Sequence, residues 1–266
     1  MIPHTITNET YFSPENAMRY MSASQFKSFR RCEFAALSEV LGDYHREVTD
    51  ALLIGSFVDA HFEGTLDVFK AQHPEIFTRN GELKAQYRHA EYMIERAERD
   101  KLFMQYMSGE KQVIFVGEIA GVPFKIKVDS YHPDKAIVDL KCMKDFESVW
   151  DPELSRRVHF IQHWGYDIQG TIYREIIRQN TGRTLPFFIA GITKEKPEPD
   201  LQIYWVPDRV LDEALGEVQS LAPRFAKLKA GELTPCRCGN CPWCRFTKVL
   251  TKPMDFTEEL EVYDVE

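Results

Sequence analysis

A chain of 266 residues with 44% hydrophobic and 12% aromatic side chains has the material for a sizeable core, in one large domain or two small ones. No apolar run approaches the roughly 20 residues that cross a bilayer, and the opening MIPHTITNETYFSPENAMRY lacks a signal peptide's basic stretch and apolar run, so a cytoplasmic protein without a membrane partner is expected. The formal charge of −8 argues only mildly against a nucleic-acid partner: six of the 41 acids lie in the last fourteen residues, and the rest carries 33 bases against 35 acids.

Residues 22–41 read as a helix, which Ser22 or Ser24 can cap and on which Phe26, Phe29, Phe34 and Leu37 recur at helical spacing. DALLIGSFVDAHFEG (50–64) reads as a second helix stopped by Gly64, and GELKAQYRHAEYMIERAERDKLFMQYM (81–107) as a third. The period then drops to two. QVIFVGEI, FKIKVDSY and AIVDLKC predict three strands joined by the turns AGVP and HPDK. HFIQHWGYDIQGTIYREIIRQN (159–180) returns to helix, followed by the strands PFFIAGITK and LQIYWVP and a helix over about 208–230. CRCGNCPWC (236–244) and the acidic tail PMDFTEELEVYDVE close the chain. With no repeat and no long linker, the expectation is a single α/β domain over 1–266. Its parts are a helical N-terminal region (22–110), a core (111–206), a C-terminal helix with the cysteine cluster (207–252) and the tail (253–266).

Within the predicted hairpin, residues two apart share a face, so Asp139 and Lys141 point the same way as Ile137, and Lys125, Lys127 and Asp129 share a face of the preceding strand. Pairing around HPDK brings Asp129 close to Asp139. Two neighbouring carboxylates repel unless a proton or a cation sits between them. Oxygen ligands of this kind suit Mg²⁺ or Mn²⁺, and Lys141 can act on a water or offset charge on a phosphate. The pattern D-x(9)-D-x-K alone also suits a surface hairpin bearing a salt bridge. Lys/Arg pairs at Lys125/Lys127, Arg156/Arg157 and Lys194/Lys196 offer a basic track despite the net charge.

The helix after these strands carries Gln169 and Tyr173 at i and i+4 in YDIQGTIY. Strand, strand and helix bearing D…DxK and then QxxxY resemble the PD-(D/E)XK nuclease core, in its RecB-like and RecE-like (exodeoxyribonuclease VIII-like) exonuclease branch. The resemblance implies a restriction-endonuclease-like fold, a central mixed sheet flanked by helices. It also implies a metal site at Asp129, Asp139 and Lys141, with Gln169 and Tyr173 reaching the substrate strand or ordering the site. An overlapping pair, Gln162 and Tyr166, lies near the same face. Relatives carry a histidine after an upstream GS dipeptide; GSFVDAHFEG places Asp59 at that spacing and His61 two positions on, roughly 200° round the helix. Asp59 is the expected further metal ligand, and Glu118, ending the first strand, stands near a place where relatives have a Glu.

Four of the six cysteines fall in CRCGNCPWC, with Cys32 and Cys142 far upstream. A secreted disulfide framework would spread them more evenly, so the cluster reads as a metal or iron–sulfur site. Cys238, Cys241 and Cys244 form C-x2-C-x2-C, whose short turns bring the sulfurs to one side. The fourth ligand is either Cys236, completing a cramped zinc knuckle, or Cys32; Cys142 is most simply a buried strand residue. A distant N-terminal cysteine with three near the C-terminus resembles the iron–sulfur nucleases of the same superfamily, including AddB-type and CRISPR-adaptation nucleases. That resemblance implies a 4Fe–4S cluster on Cys32, Cys238, Cys241 and Cys244. Taken together, the family resemblance implies a Mg²⁺- or Mn²⁺-dependent DNA exonuclease of phage-type recombination, resecting duplex ends. The alternatives are an iron–sulfur- or zinc-stabilised DNA-binding or structural module with an inactive nuclease core, or an endonuclease of the same fold. The resemblance also implies a RecT-like single-strand annealing protein as partner and, in some relatives, a homo-oligomer.

Overall fold

The run 136–143 carries apolar side chains on both faces, the pattern of a strand covered on two sides, and the architecture is built around it. The computed structural model describes residues 6–151 and 154–253. The N-terminal half is helical: α1 (Pro14–Arg19), α2 (Ala23–Arg31), α3 (Glu33–Leu41), α4 (Asp50–Glu63), α5 (Leu66–Gln72), α6 (Ala85–Glu98) and α7 (Lys101–Tyr106). The strands β1 (Val113–Ile119), β2 (Val122–Val128), β3 (Ser130–His132) and β4 (Ala136–Met143) follow, then the short pair β5 (Val149–Asp151) and β6 (Arg156–Val158). The chain continues through α8 (Phe160–His163), α9 (Tyr166–Thr181), β7 (Phe187–Thr193), β8 (Leu201–Val206), α10 (Asp208–Lys229) and α11 (Pro242–Phe246).

The main sheet runs in the order β3-β4-β7-β8. β4 and β7 are parallel, linked by the α8–α9 crossover, while β3 and β8 run antiparallel to their neighbours. The sheet is therefore mixed, with helices on both faces, as a restriction-endonuclease-like core requires. On one face Ile137, Phe187 and Ile189 pack with Ile168 and Ile172 of α9 and with Leu211 and Val218 of α10. On the other, Val138, Leu140, Ala190 and Ile192 pack with Leu53 and Phe57 of α4 and Met93 of α6. Phe26 and Phe29 of α2 stack around Phe225 and join α2 to α10. Among the described residues no helix is long and apolar enough to cross a membrane.

Helix α4 ends as its sequence predicts, with Gly64 at φ 78° in the left-handed region. Three other predicted helices are each divided. The 22–41 segment breaks at Cys32, which is extended (φ −162°, ψ 107°) between α2 and α3. After the break the Phe34 amide bonds the Cys236 carbonyl at 3.0 Å, so the C-terminal cysteine segment interrupts the helix. The 81–107 segment splits where Asp100 caps α7 through the Phe103 amide at 2.9 Å. The 159–180 segment divides at Gly165, φ 63°, into α8 and α9.

The predicted strand FKIKVDSY is also two elements. β2 pairs with β1 in its own two-stranded sheet, and β3 pairs with β4. Asp129 is the junction, and its carboxylate accepts the Leu140 amide of β4 at 2.9 Å in place of a ladder bond. Short elements that carry weak periodicity, α1, α5, the β5–β6 pair and α11, complete the fold. The acidic tail read from the sequence lies outside the described residues, apart from its first residue, Pro253.

Candidate active site and cysteine centre

The antiparallel register pairs Ser130 with Val138, so Asp129 stands across from Asp139 one step further along. Alternation puts Asp139 and Lys141 on the α9 face of β4, where Ile137 is already in the core. Helix α9 follows with Gln169 and Tyr173 one turn apart, both facing the strand. Gln169 Nε2 donates to Asp139 Oδ1 at 2.6 Å, and the Tyr173 hydroxyl donates to the Lys127 carbonyl at 3.0 Å. From the other side α4 brings Asp59 and Glu63, four residues apart on one face. These groups line one pocket of about 440 Å³ with Lys27, Gln112, Tyr166, Lys127, Tyr11 and Phe12.

The electrostatics of the pocket follow from crowding acids where water is scarce. Burial, and then the Asp139 charge, push the Asp129 carboxyl up to about 7. Burial moves Asp59 in the same direction, well above the usual carboxylate range, with Asp129 adding to it. Burial disfavours the Lys141 ammonium, but the Asp139 and Asp129 charges outweigh it and raise its pKa above the ordinary lysine value. Lys141 forms an ion pair with Asp139 Oδ2. Asp139 Oδ2 is buried, and the Lys141 ammonium is the group that compensates it. Lys27, half-buried beneath the Tyr166 ring with its ammonium 5.2 Å from the centroid, is lowered to about 8 by burial and by Lys141.

The donor chemistry of this group suits a hard divalent cation. The donors are carboxylate oxygens from β4, the β2–β3 junction and α4, the buried Asp139 Oδ2 is balanced by the Lys141 ammonium alone, and burial followed by neighbouring acids raises Asp129 and Asp59. Asp129, Asp139 and Asp59 are the residues that would hold it, with Glu63 at the rim.

The structure brings Asp59, Asp129, Asp139, Lys141, Gln169 and Tyr173 into the one pocket. It sets Glu118 apart: Glu118 is exposed, pairs with Pro123 at the far end of β1, and its backbone amide and carbonyl bond the Gln179 side chain at 2.9 and 2.7 Å. Five strand residues, roughly 17 Å, separate it from the Val113↔Val128 end of that ladder, beside Asp129. His61 turns away to Glu98, at 2.8 Å. Of the alternative pair, Tyr166 lines the pocket, while Gln162 lies in the adjoining cleft. Sequence reading passed over Glu63, which its i+4 spacing from Asp59 signals. It also passed over Lys27, Tyr11 and Phe12, which reach the pocket from segments distant in the chain and carry no periodic signal.

Behind Lys27 lies a second cleft of about 600 Å³, which Lys27 also lines, together with Arg30, Arg31, Arg156, His163 and Trp164; Asp151, Asp167 and Glu217 contribute acids to it. The Arg31 guanidinium lies 5.8 Å from the Trp164 ring centre. Of the three predicted basic pairs, Lys125 is withdrawn from any track: it is buried, with its ammonium bonded to the Tyr11 carbonyl.

At the other end of α2 the sulfurs of Cys32, Cys238, Cys241 and Cys244 all lie within 4.8 Å of one another. Cys236 is outside the group. It is exposed, its amide donates to Glu33 Oε2 at 2.9 Å, and its sulfur faces Arg224. Cys142 is half-buried in β4, as a strand residue.

Two acids and a lysine on adjacent strands, a Gln and a Tyr from the following helix, and a mixed sheet beneath them define a nuclease-like domain of the PD-(D/E)XK type. The chain belongs to the family described as a PDDEXK-like domain of unknown function (DUF3799), which matches residues 22–247. A crystal structure described as "Putative exonuclease", from Eubacterium rectale, superposes with a TM-score of 0.91 at 48% identity, covering 96% of this chain and 98% of that one. A second solved structure, SSO0001, aligns over 75% of this chain and 85% of its own at 14% identity, and its TM-score of 0.27 carries no weight. No curated protein matches the chain.

Proposed function

We propose that this protein is a Mg²⁺- or Mn²⁺-dependent deoxyribonuclease that hydrolyses phosphodiester bonds at the ends of double-stranded DNA. The observation that carries the reading is the convergence of Asp129, Asp139, Asp59 and Lys141 on one pocket, where the buried Asp139 Oδ2 is balanced by the Lys141 ammonium alone. The likeness to the Eubacterium rectale protein over nearly the whole chain supports exonuclease over other nuclease activities.

The cation, when bound, supplies Lewis-acid polarisation of the phosphate ester. The chain's own groups do the rest. Lys141, with its pKa held up by Asp139 and Asp129, stays an ammonium at neutral pH. It therefore suits the role of a fixed positive charge beside the developing charge of the phosphoryl group. Gln169 fixes the Asp139 carboxylate from one side, leaving Oδ2 to the Lys141 ammonium. Tyr173 ties α9 to the backbone of β2 and so holds Asp129's strand at a set distance from Asp139's. Lys27, Arg31 and Arg156 line the adjoining cleft and suit the phosphates of a bound strand, while Trp164 offers a ring on which a base can stack.

The RecE-type resemblance further supports a role in strand resection for phage-type recombination in the cytoplasm, with a RecT-like annealing protein as partner and a homo-oligomer as working form. The test is digestion of linear and covalently closed circular DNA with Mg²⁺ or Mn²⁺. Degradation of the linear form alone is the expected result. Cutting of the circle points to an endonuclease, and inertness toward both removes the enzymatic reading.

A further inference from the structure

The family resemblance implies a 4Fe–4S cluster at the cysteine centre, and the four thiols do not have its dimensions. We propose that Cys32, Cys238, Cys241 and Cys244 instead hold a single zinc ion in a closed tetrahedral site. The Cys32 and Cys244 sulfurs are 3.6 Å apart, Cys32 and Cys241 3.9 Å, and Cys238 and Cys244 4.0 Å, and no pair exceeds 4.8 Å. Zinc–thiolate bonds of about 2.3 Å in a tetrahedron require sulfurs about 3.8 Å apart. A cubane places each thiolate on a different iron, roughly 6 Å from the next. Every pair would have to open for the cubane, whereas the separations already present are those of one ion.

The surroundings resist opening. Cys32 is locked at the α2–α3 break, its amide on the Ser28 carbonyl and its carbonyl accepting from the Ala36 amide, each at 3.0 Å. Cys244 is buried in α11, and its neighbour Trp243 stacks on Tyr44 at 4.8 Å between ring centres and on Phe34 at 6.4 Å. The Trp243 indole N–H donates to the Ser38 hydroxyl at 2.9 Å, so rings from α3 and the following loop fix the α11 wall. The Cys241 amide donates to the Cys238 sulfur, and the Cys244 amide to the Cys241 sulfur, each at 3.3 Å. Donors aimed at thiolates orient ligands and stabilise their charge around a small cation. With four protein ligands no position remains for water, so the ion is structural. It clamps the C-terminal segment to the end of α2, the helix that carries Lys27.

The test is metal and sulfide analysis of the full-length protein purified anaerobically, without added metal. One zinc per chain, no acid-labile sulfide and no visible colour are expected, and replacement by cobalt(II) should give the intense visible bands of a tetrahedral thiolate site. Cys236→Ala should keep the full zinc content, and Cys244→Ser should lose most of it. If Cys244→Ser fails to fold, zinc-edge X-ray absorption of the wild-type protein decides, with four sulfurs at about 2.3 Å expected. A brown protein with about four irons and four sulfides per chain, a folded protein free of metal, or zinc bound through nitrogen or oxygen overturns the proposal. None of these readouts uses nuclease activity, so the result stands apart from the proposed function.

Discussion

Gln169 and Asp139, thirty positions apart in the chain, meet at 2.6 Å where α9 crosses β4. The contact fixes one oxygen of the carboxylate and leaves the other, buried, against the Lys141 ammonium. A side chain that orients a ligand is worth less than the ligand but more than a surface contact. We therefore expect Gln169→Ala to lower the turnover number by about 10- to 100-fold with KM little changed and the melting temperature within a few degrees of wild type. Steady-state kinetics on linear duplex DNA checks this, and undiminished turnover would show that Gln169 is a packing residue.

The acids set the pH response of the metal-free protein. Asp129 titrates at about 7 folded against 3.8 ordinarily, so between those values the folded form holds a proton that the unfolded chain has released. Its contribution to stability is therefore greatest below 3.8, falls as pH rises through 7 and stays lost above. Lys141, raised from 10.5, contributes stability that is constant across this range. His159, lowered by burial, works in the opposite sense to Asp129 around its ordinary value of 6.5, so the readout is a difference. In chelator, Asp129→Asn should gain melting temperature over wild type on going from pH 6 to pH 8, and added Mn²⁺ should stabilise wild type more at pH 8. A difference that is flat with pH contradicts the assignment.

Most of the candidate pocket's lining was legible because the relevant spacing is local. Alternation placed Asp139 and Lys141 on one face of β4, and i+4 spacing placed Gln169 with Tyr173. What the sequence concealed depends on tertiary contacts. Cys32 breaks a helix that reads as continuous, because the Cys236 carbonyl claims the Phe34 amide. Asp129 divides a continuous period-two run, because its carboxylate takes the Leu140 amide. Glu118 sits on a strand as expected, yet on the wrong end of it, since alternation specifies a face and not a position along the ladder. Lys27 faces both pockets only because α2 packs against the start of α9, a contact no local pattern encodes.

Gly165 separates α8 from α9 at φ 63°, and a Cβ there would lie 2.9 Å from the Lys27 side chain. Gly165→Ala therefore adds left-handed backbone strain and displaces Lys27. Urea denaturation should show a loss of about 1–2 kcal/mol. The DNA affinity should fall as well, because Lys27 lines both clefts. A variant as stable as wild type would mean that this turn carries no strain.

If the cleft beside the pocket holds the strand's phosphates, its arginines act through counterion release. Arg31→Ala should weaken DNA binding at low salt and make the slope of log affinity against log salt shallower by about 0.7, the single-strand value for one phosphate left without its cation. Fluorescence anisotropy with a labelled single strand at several salt concentrations measures it in the presence of Ca²⁺ to suppress cleavage. An unchanged slope would place the strand elsewhere.

Every catalytic role assigned above depends on carboxylates from β4, the β2–β3 junction and α4 gripping one hard cation. Titration calorimetry with Mn²⁺ tests this directly on wild type and Asp139→Asn, a replacement that keeps the side-chain shape and a partner for Gln169. Saturable binding at the carboxylate pocket is predicted for wild type and at least about tenfold weaker affinity for the variant, with both proteins folded by circular dichroism. Equal Mn²⁺ affinity in two folded proteins would contradict the metal site.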